Sequence, residues 1–241
     1  MNKTIKATEQ FFESFNKEFN NKTKNHIVIC PSFLSLATAV KLSEDTIVEI
    51  GAQNVHHSEE GIYTGEVNTE MLTEVGVKYV IVGHSSRREE GETNESINKK
   101  IIACLENGLT PILCVGETKK DKEMGRTYKV LKKQIVTAFD DVLEPNKVIV
   151  AYEPIWAISD GKTPAPIPSI DEISSASSGI RRVLKQLFEK DQLKGISILY
   201  GGSVTASNAN EIMSIKNING VLVGGASLYP DKFNSIIKAV D

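Results

Sequence analysis

Seven short apolar runs, rich in β-branched residues, set the strongest limit on what this chain can fold into. They are HIVICPSF (26–33), TIVEIGAQ (46–53), VKYVIVGH (77–84), LTPILCVGE (109–117), KVIVAYEP (147–154), the stretch 197–203 of ISILYGGS, and NGVLVGGAS (219–227). A strand with one wet face alternates apolar and polar residues, whereas these stay apolar along most of their length and so read as strands covered on both faces. Helical patterns lie between them, notably at 94–107, 121–140, 169–190 and 230–239, with N-caps expected at Thr93, Ser169 and Ser207. Such alternation predicts parallel strands joined by right-handed crossovers.

Polar and Gly-rich residues collect after the C-terminal ends of the runs: Gln53-Asn54, Gly83-His84-Ser85, Gly116-Glu117, Glu153, Gly201-Gly202-Ser203 and Gly224-Gly225. In a β/α barrel those ends share one face, where residues far apart in sequence converge. A doubly wound open sheet also places ligands at strand C-ends, but it usually carries an early G-x-G-x-x-G turn, and none occurs here. The barrel is therefore the expected fold. A length of 241 residues suits one barrel domain spanning 1–241, and no Pro-rich linker divides it. The strand count falls short, because a barrel closes with eight strands and the helix-like segment Thr4 to Phe19 has no strand before it.

Composition narrows the partners. The net charge is -3, with acids and bases interspersed and basic residues only in short pairs such as Lys99-Lys100 and Lys132-Lys133, which argues against nucleic acid and anionic membrane. Cys30, Cys104 and Cys114 lack metal-ligand or C-x-x-C spacing and sit in apolar segments, so they read as reduced core thiols. The first 25 residues contain no apolar signal-peptide core and no membrane-spanning run, and the expected location is the cytoplasm.

Glu153 ends the fifth run inside AYEPIWAISDGKTPAP (151–166). Stripping water from a carboxylate is costly, so the residue needs either partners or a task. It reads as a general base beneath a small-residue loop, or equally as a salt-bridged glutamate at a barrel rim. His84, followed by Ser85 as a candidate cap, would face a helix N-terminus that disfavours the imidazolium, which suits a neutral donor polarising a carbonyl. A hydrogen-bonded structural histidine is the other reading. YGGSV (200–204) and LVGGAS (222–227) follow the last two runs, where barrel enzymes bind phosphate through main-chain N–H groups. Tight turns would account for either pair alone. The GKT at 161–163 does not complete a Walker A loop, because position 156 is Trp.

Taken in order, GAQN (51–54), YTGEV (63–67), VGHSSRR (82–88), GETNE (91–95), CVGET (114–118), AYEPIWAI (151–158), YGGSV and VGGASL (223–228) give a chain that resembles the triosephosphate isomerase family over nearly its whole length. The resemblance implies a (β/α)8 TIM barrel and interconversion of dihydroxyacetone phosphate with D-glyceraldehyde 3-phosphate, with no cofactor and no metal. It implies Glu153 as the base and His84 as the neutral electrophile, a pairing for which this family is itself the standard illustration. Residues 155–163 would form a lid that excludes water. Ser159, Ser203, Gly224 and Gly225 match the phosphate-binding positions, chiefly through backbone N–H groups. Cys114 matches a cysteine near the base, with packing as its expected role. The loop Asn54 to Asn68, tipped by Thr64, Gly65 and Glu66, resembles the family's dimer loop and implies a homodimer.

The chain also departs from the family pattern. The family opens with a strand ending Asn-Trp-Lys, followed by a segment like Met1-Asn2-Lys3-Thr4, so the first strand and its Asn and Lys are expected to be absent. Neither Lys3 nor Lys6 substitutes for that lysine. The barrel is expected to leave two strands with unpaired edges. Ser86 stands where the family has Glu, and Ser159-Asp160 where it has Gly-Thr. These departures keep two alternatives in view: a catalytically impaired homologue that binds a phosphorylated ligand or partner, and a barrel isomerase acting on another phosphorylated sugar.

Overall fold

The computed structural model describes residues 2–158 and 165–241. Helix α1 (Ile5–Glu18) opens the chain, followed by β1 (Val28–Ile29) with α2 (Leu36–Ser43), β2 (Glu49–Ala52) with α3 (Thr69–Val75), and β3 (Tyr79–Val82) with α4 (Ser85–Glu89) and α5 (Asn94–Glu106). Next come β4 (Thr110–Val115) with α6 (Lys119–Glu123) and α7 (Thr127–Ala138), then β5 (Ile149–Tyr152) with α8 (Ile170–Leu187) and α9 (Lys190–Leu193). β6 (Ile198–Tyr200) with α10 (Ala206–Met213) and β7 (Gly220–Val221) with α11 (Pro230–Ala239) complete it. The seven strands pair in sequence order, all parallel, with Tyr79 opposite Thr110, Cys114 opposite Ala151 and Tyr152 opposite Tyr200. Among the described residues this is a β/α barrel short of one strand, as the run count predicts.

The run composition explains the layering. Residues pointing inward, Tyr79, Ile112, Cys114 and Ala151, pack as one cluster with Val28, Ile149 and Leu199, while the outward set packs against the helices. With both faces covered, alternation has no reason to appear.

Helix α1 bridges the open side. Thr4 caps it, its Oγ1 accepting from the Ala7 N–H at 3.3 Å. Phe11, Phe15 and Phe19 recur every four residues and stack along one face, with ring centroids 5.7 and 4.8 Å apart. Phe15 also stacks on Phe233 of α11 at 5.8 Å, and its carbonyl accepts from Asn234 Nδ2 at 3.2 Å. On its other flank Asn16 Nδ2 donates to the Leu42 carbonyl of α2 at 3.1 Å. The helices after β1 and β7 are thus joined through α1, although those two strands do not pair with one another among the described residues.

Most helix boundaries follow the capping signals. Thr93 and Ser169 cap α5 and α8 through reciprocal bonds with Ser96 and Glu172. Ser207 is a correction: it lies inside α10, whose cap is Thr205, with the Thr205 N–H donating to Asn208 Oδ1 at 2.8 Å. The pattern 121–140 divides into α6 and α7 because Gly125, at φ +65°, leaves the right-handed region between them. No helix of the described residues is long and apolar enough to cross a membrane, and none of their His, Cys, Asp and Glu side chains form a group of three or more suited to a metal ion.

Candidate active site

Glu153 directly follows β5, its N–H donating to the Val115 carbonyl at 2.8 Å. The residue is only 4 % exposed, and two glycines make that position possible. A Cβ on Gly116 would stand 1.8 Å from the Glu153 carbonyl oxygen, and one on Gly201 would stand 2.7 Å from Glu153 Cγ. Both distances are far inside van der Waals contact, so the backbone closes around the carboxylate only because neither neighbour has a side chain. Gly201 therefore has a structural duty toward Glu153 that the phosphate reading of YGGSV does not include.

His84 follows β3 and is the N-cap residue of α4. Its Nδ1 accepts from the Ser86 N–H at 3.2 Å, so that nitrogen carries no proton, and the Ser86 hydroxyl must be the donor in the 2.9 Å contact to the same atom. The proton of the neutral ring is thereby assigned to Nε2, which stands 3.7 Å from Glu153 Oε1. That separation is too long for a hydrogen bond and leaves both groups free to engage a third molecule. Ser86, a departure from the family pattern, orients the imidazole with its own hydroxyl.

The electrostatics favour a base. Burial is the largest influence and raises the Glu153 carboxyl above its ordinary value, while His84, the Cys114 thiol, the Arg88 guanidinium and the Ser85 N–H oppose it in that order. Its Oε2 is buried without a hydrogen-bond partner among the described residues. Cys114 packs in the inner cluster beside Glu153, and burial, followed by the Glu153 charge, holds its thiol well above the ordinary thiol range.

Arg88 and Glu117 carry no functional mark in the sequence but hold the site together. Arg88 donates to the Gly83 carbonyl at 2.7 Å, the Cys114 carbonyl at 2.9 Å and Asn94 Oδ1 at 2.7 Å, fastening the ends of β3 and β4 beneath the pair. Glu117, 1 % exposed, accepts from Tyr152 Oη at 3.2 Å and Trp156 Nε1 at 2.9 Å. The available signal was an acid at a strand's C-terminal end, the same one that singled out Glu153.

Ser203 and the glycine pair lie on the neighbouring strand ends. Ser203 Oγ donates to the Ala157 carbonyl at 3.2 Å, beside the chain leaving Glu153. Gly224 and Gly225 are exposed, with nothing within 4 Å of where a Cβ would stand. Among the described residues, no side chain or backbone fills the space in front of them. Ser159, Asp160 and the lid residues 159–163 fall outside the described residues. A cavity of about 270 Å³ is lined by Ser203, Ile167, Tyr200, Asn208 and Glu211 among others, and neither Glu153 nor His84 lines it. Position alone therefore separates it from the acid–base pair.

A parallel β/α barrel whose strand C-ends bring a desolvated carboxylate to an Nε2–H imidazole has the architecture of an enzyme that moves protons. The family profile described as triosephosphate isomerase matches residues 1–240. Triosephosphate isomerase of Aquifex aeolicus is 47 % identical over 239 residues, covering 98 % of this chain and 95 % of its own. Those of Solibacter usitatus and Fusobacterium nucleatum are 44 % and 47 % identical, covering 99 % and 92 % of this chain and 95 % and 89 % of theirs. The chain belongs to the triosephosphate isomerase family.

Proposed function

We propose that Glu153 and His84 are the base and the electrophile of this chain's triosephosphate isomerase activity, the interconversion of dihydroxyacetone phosphate and D-glyceraldehyde 3-phosphate. Glu153 takes a proton from the carbon beside the carbonyl, giving an enediolate, and returns it to the adjacent carbon. His84 Nε2–H donates to the substrate oxygens as charge develops on them. The observation that carries this reading is the pair itself: an unpartnered, buried Glu153 Oε2 and an Nε2–H held 3.7 Å from Oε1. A base works best with an affinity for protons near the operating pH, and desolvation moves Glu153 in that direction. Ser159, Ser203, Gly224 and Gly225 are proposed to hold the substrate phosphate, supported for Ser203 by its bond to the Ala157 carbonyl and for the two glycines by their exposed place after β7.

A coupled assay on Glu153→Gln tests the roles, since the amide keeps the shape and removes the base. The expected loss in kcat is about 10²–10⁴-fold, the usual range for one general base. Activity near the parent's would remove Glu153 from that role, and phosphoglycolate binding by a parent chain that does not isomerise trioses would favour the impaired-homologue reading instead.

The same proposal includes one barrel domain over residues 1–241, a cytoplasmic location and a homodimer formed through Thr64, Gly65 and Glu66. Ile62 beside that tip is 99 % exposed, an apolar residue fully in water. At the root of the loop, Asn54 Oδ1 accepts from Lys100 Nζ at 2.8 Å, and Lys100 pairs with Glu92 in a buried setting. Arg87 Nε and Glu92 Oε2 are buried there without hydrogen-bond partners among the described residues, as expected at a surface that awaits a polar neighbour. Analytical ultracentrifugation of the parent and of Ile62→Asp is expected to show a dimer and a dissociated chain, respectively.

A further inference from the structure

Lys122 lies in α6, the short helix that follows β4. Its Nζ stands 3.3 Å from the centroid of the Trp156 ring and 2.6 Å from Glu172 Oε1. Those two partners flank the chain that joins β5 to α8. Trp156 is three residues beyond Glu153, in the turn Ile155–Ala157, and the carbonyl of Ala157 receives the Ser203 hydroxyl. Glu172 is in the first turn of α8, where its other oxygen accepts from the Ser169 N–H at 2.8 Å and closes the helix cap. We propose that Lys122 is a positioning residue whose single ammonium couples the turn carrying Glu153 to the N-cap of α8, holding both ends of the β5–α8 connection in a fixed relation.

The physical case rests on how the contacts share one group. A cation over an indole face and a carboxylate at hydrogen-bond distance are each modest contacts when partly exposed, as Lys122 and Glu172 are. Their value here lies in coupling, because one ammonium cannot leave either partner without loosening the other. The opposite edge of the indole is fixed too, since Trp156 Nε1 donates to buried Glu117, whose carbonyl accepts from the Ile155 N–H at 3.1 Å. Trp156 is thus held from its face by Lys122 and from its edge by Glu117. Displacement of its backbone moves a segment that touches both the proposed base and the proposed phosphate serine. This inference rests on the assignment of Glu153 as base.

Trp156 is the single tryptophan of the chain, so its fluorescence reports this contact directly. The experiment compares Lys122→Met, which keeps the stem and removes the charge, with Lys122→Arg, Glu172→Gln and the double variant Lys122→Met/Glu172→Gln. For Lys122→Met we expect changed Trp156 emission with stronger acrylamide quenching, and a fall in kcat of about five- to tenfold with KM within twofold, the scale of one such contact. Lys122→Arg is expected to restore both readouts, and the double variant to lose no more than the worse single one. Unchanged emission in Lys122→Met, an unchanged kcat, or strictly additive losses in the double variant would each overturn the proposal. Failure of the Glu153 assignment is seen separately, in the Glu153→Gln assay, because emission and coupling between positions 122 and 172 do not depend on which group is the base.

Discussion

The two sides of the sheet differ sharply. β4 runs six residues with Pro111 through Val115 buried, and β5 has three of its four residues buried, whereas β1 and β7 are two residues each and only half-buried. The first pair lies between neighbours on both edges; the second has a neighbour on one edge only, among the described residues. At β1 the regular length follows the number of partners more than composition, since the run at 26–33 is as apolar as those that form β4 and β5. The proposed base, Glu153, sits on the well-packed side. Desolvating a base requires walls that do not yield, and the edge strands lack them.

That contrast can be broken by experiment. The largest stability effect is expected for Leu113→Ala in β4, where a fully buried side chain leaves a cavity, at about 2–5 kcal/mol. The matching change at the edge, Val28→Ala, should cost only about 1 kcal/mol by chemical denaturation, because a half-buried valine loses less contact. Equal losses would refute the comparison. Gly116→Ala is expected to cost about 1–3 kcal/mol by overpacking and to lower activity with it, since the new methyl meets the Glu153 carbonyl. Gly225→Ala meets open space and should leave stability unchanged.

The smallest expected effects concern pH. Burial raises the Glu153 carboxyl, so the acid limb of kcat/KM should lie above the ordinary glutamate range, and Cys114→Ala should move it higher by removing a thiol that favours the ionised form. Stability runs the other way. A carboxyl that holds its proton more tightly in the folded state stabilises below the unfolded value, and that contribution is lost as pH rises through the folded one. Glu153→Gln is therefore expected to melt at a higher temperature than the parent at neutral pH, while losing activity; a lower melting temperature would contradict a carboxylate destabilised by burial.

Much of this was legible in the runs themselves. Non-alternating apolar stretches dictate a sheet covered on both faces, and Glu153, His84 and Ser203 stand out as the polar residues after their C-terminal ends. The unlabelled participants were those whose roles depend on neighbours remote in sequence. Arg88 fastens Gly83 to Cys114, and Glu117 receives Tyr152 and Trp156, yet an Arg in SSRR or a Glu in GET carries no local mark of such contacts. Ser207 was misplaced as a cap because Thr205, two residues earlier, finds Asn208 at the right distance. Hydroxyls two residues apart are equivalent by type and differ only in backbone geometry.

By itself, then, the amino-acid order determined the alternation of strand and helix, the parallel sheet and the face on which polar chemistry gathers, because periodicity and burial are local properties of each run. Only the tertiary structure decided which nitrogen of His84 faces Glu153, why Gly116 and Gly201 have no side chain, and that Lys122 touches both ends of one connection. Each of these is a distance between groups on different elements, and such distances exist only once the strands have been brought side by side.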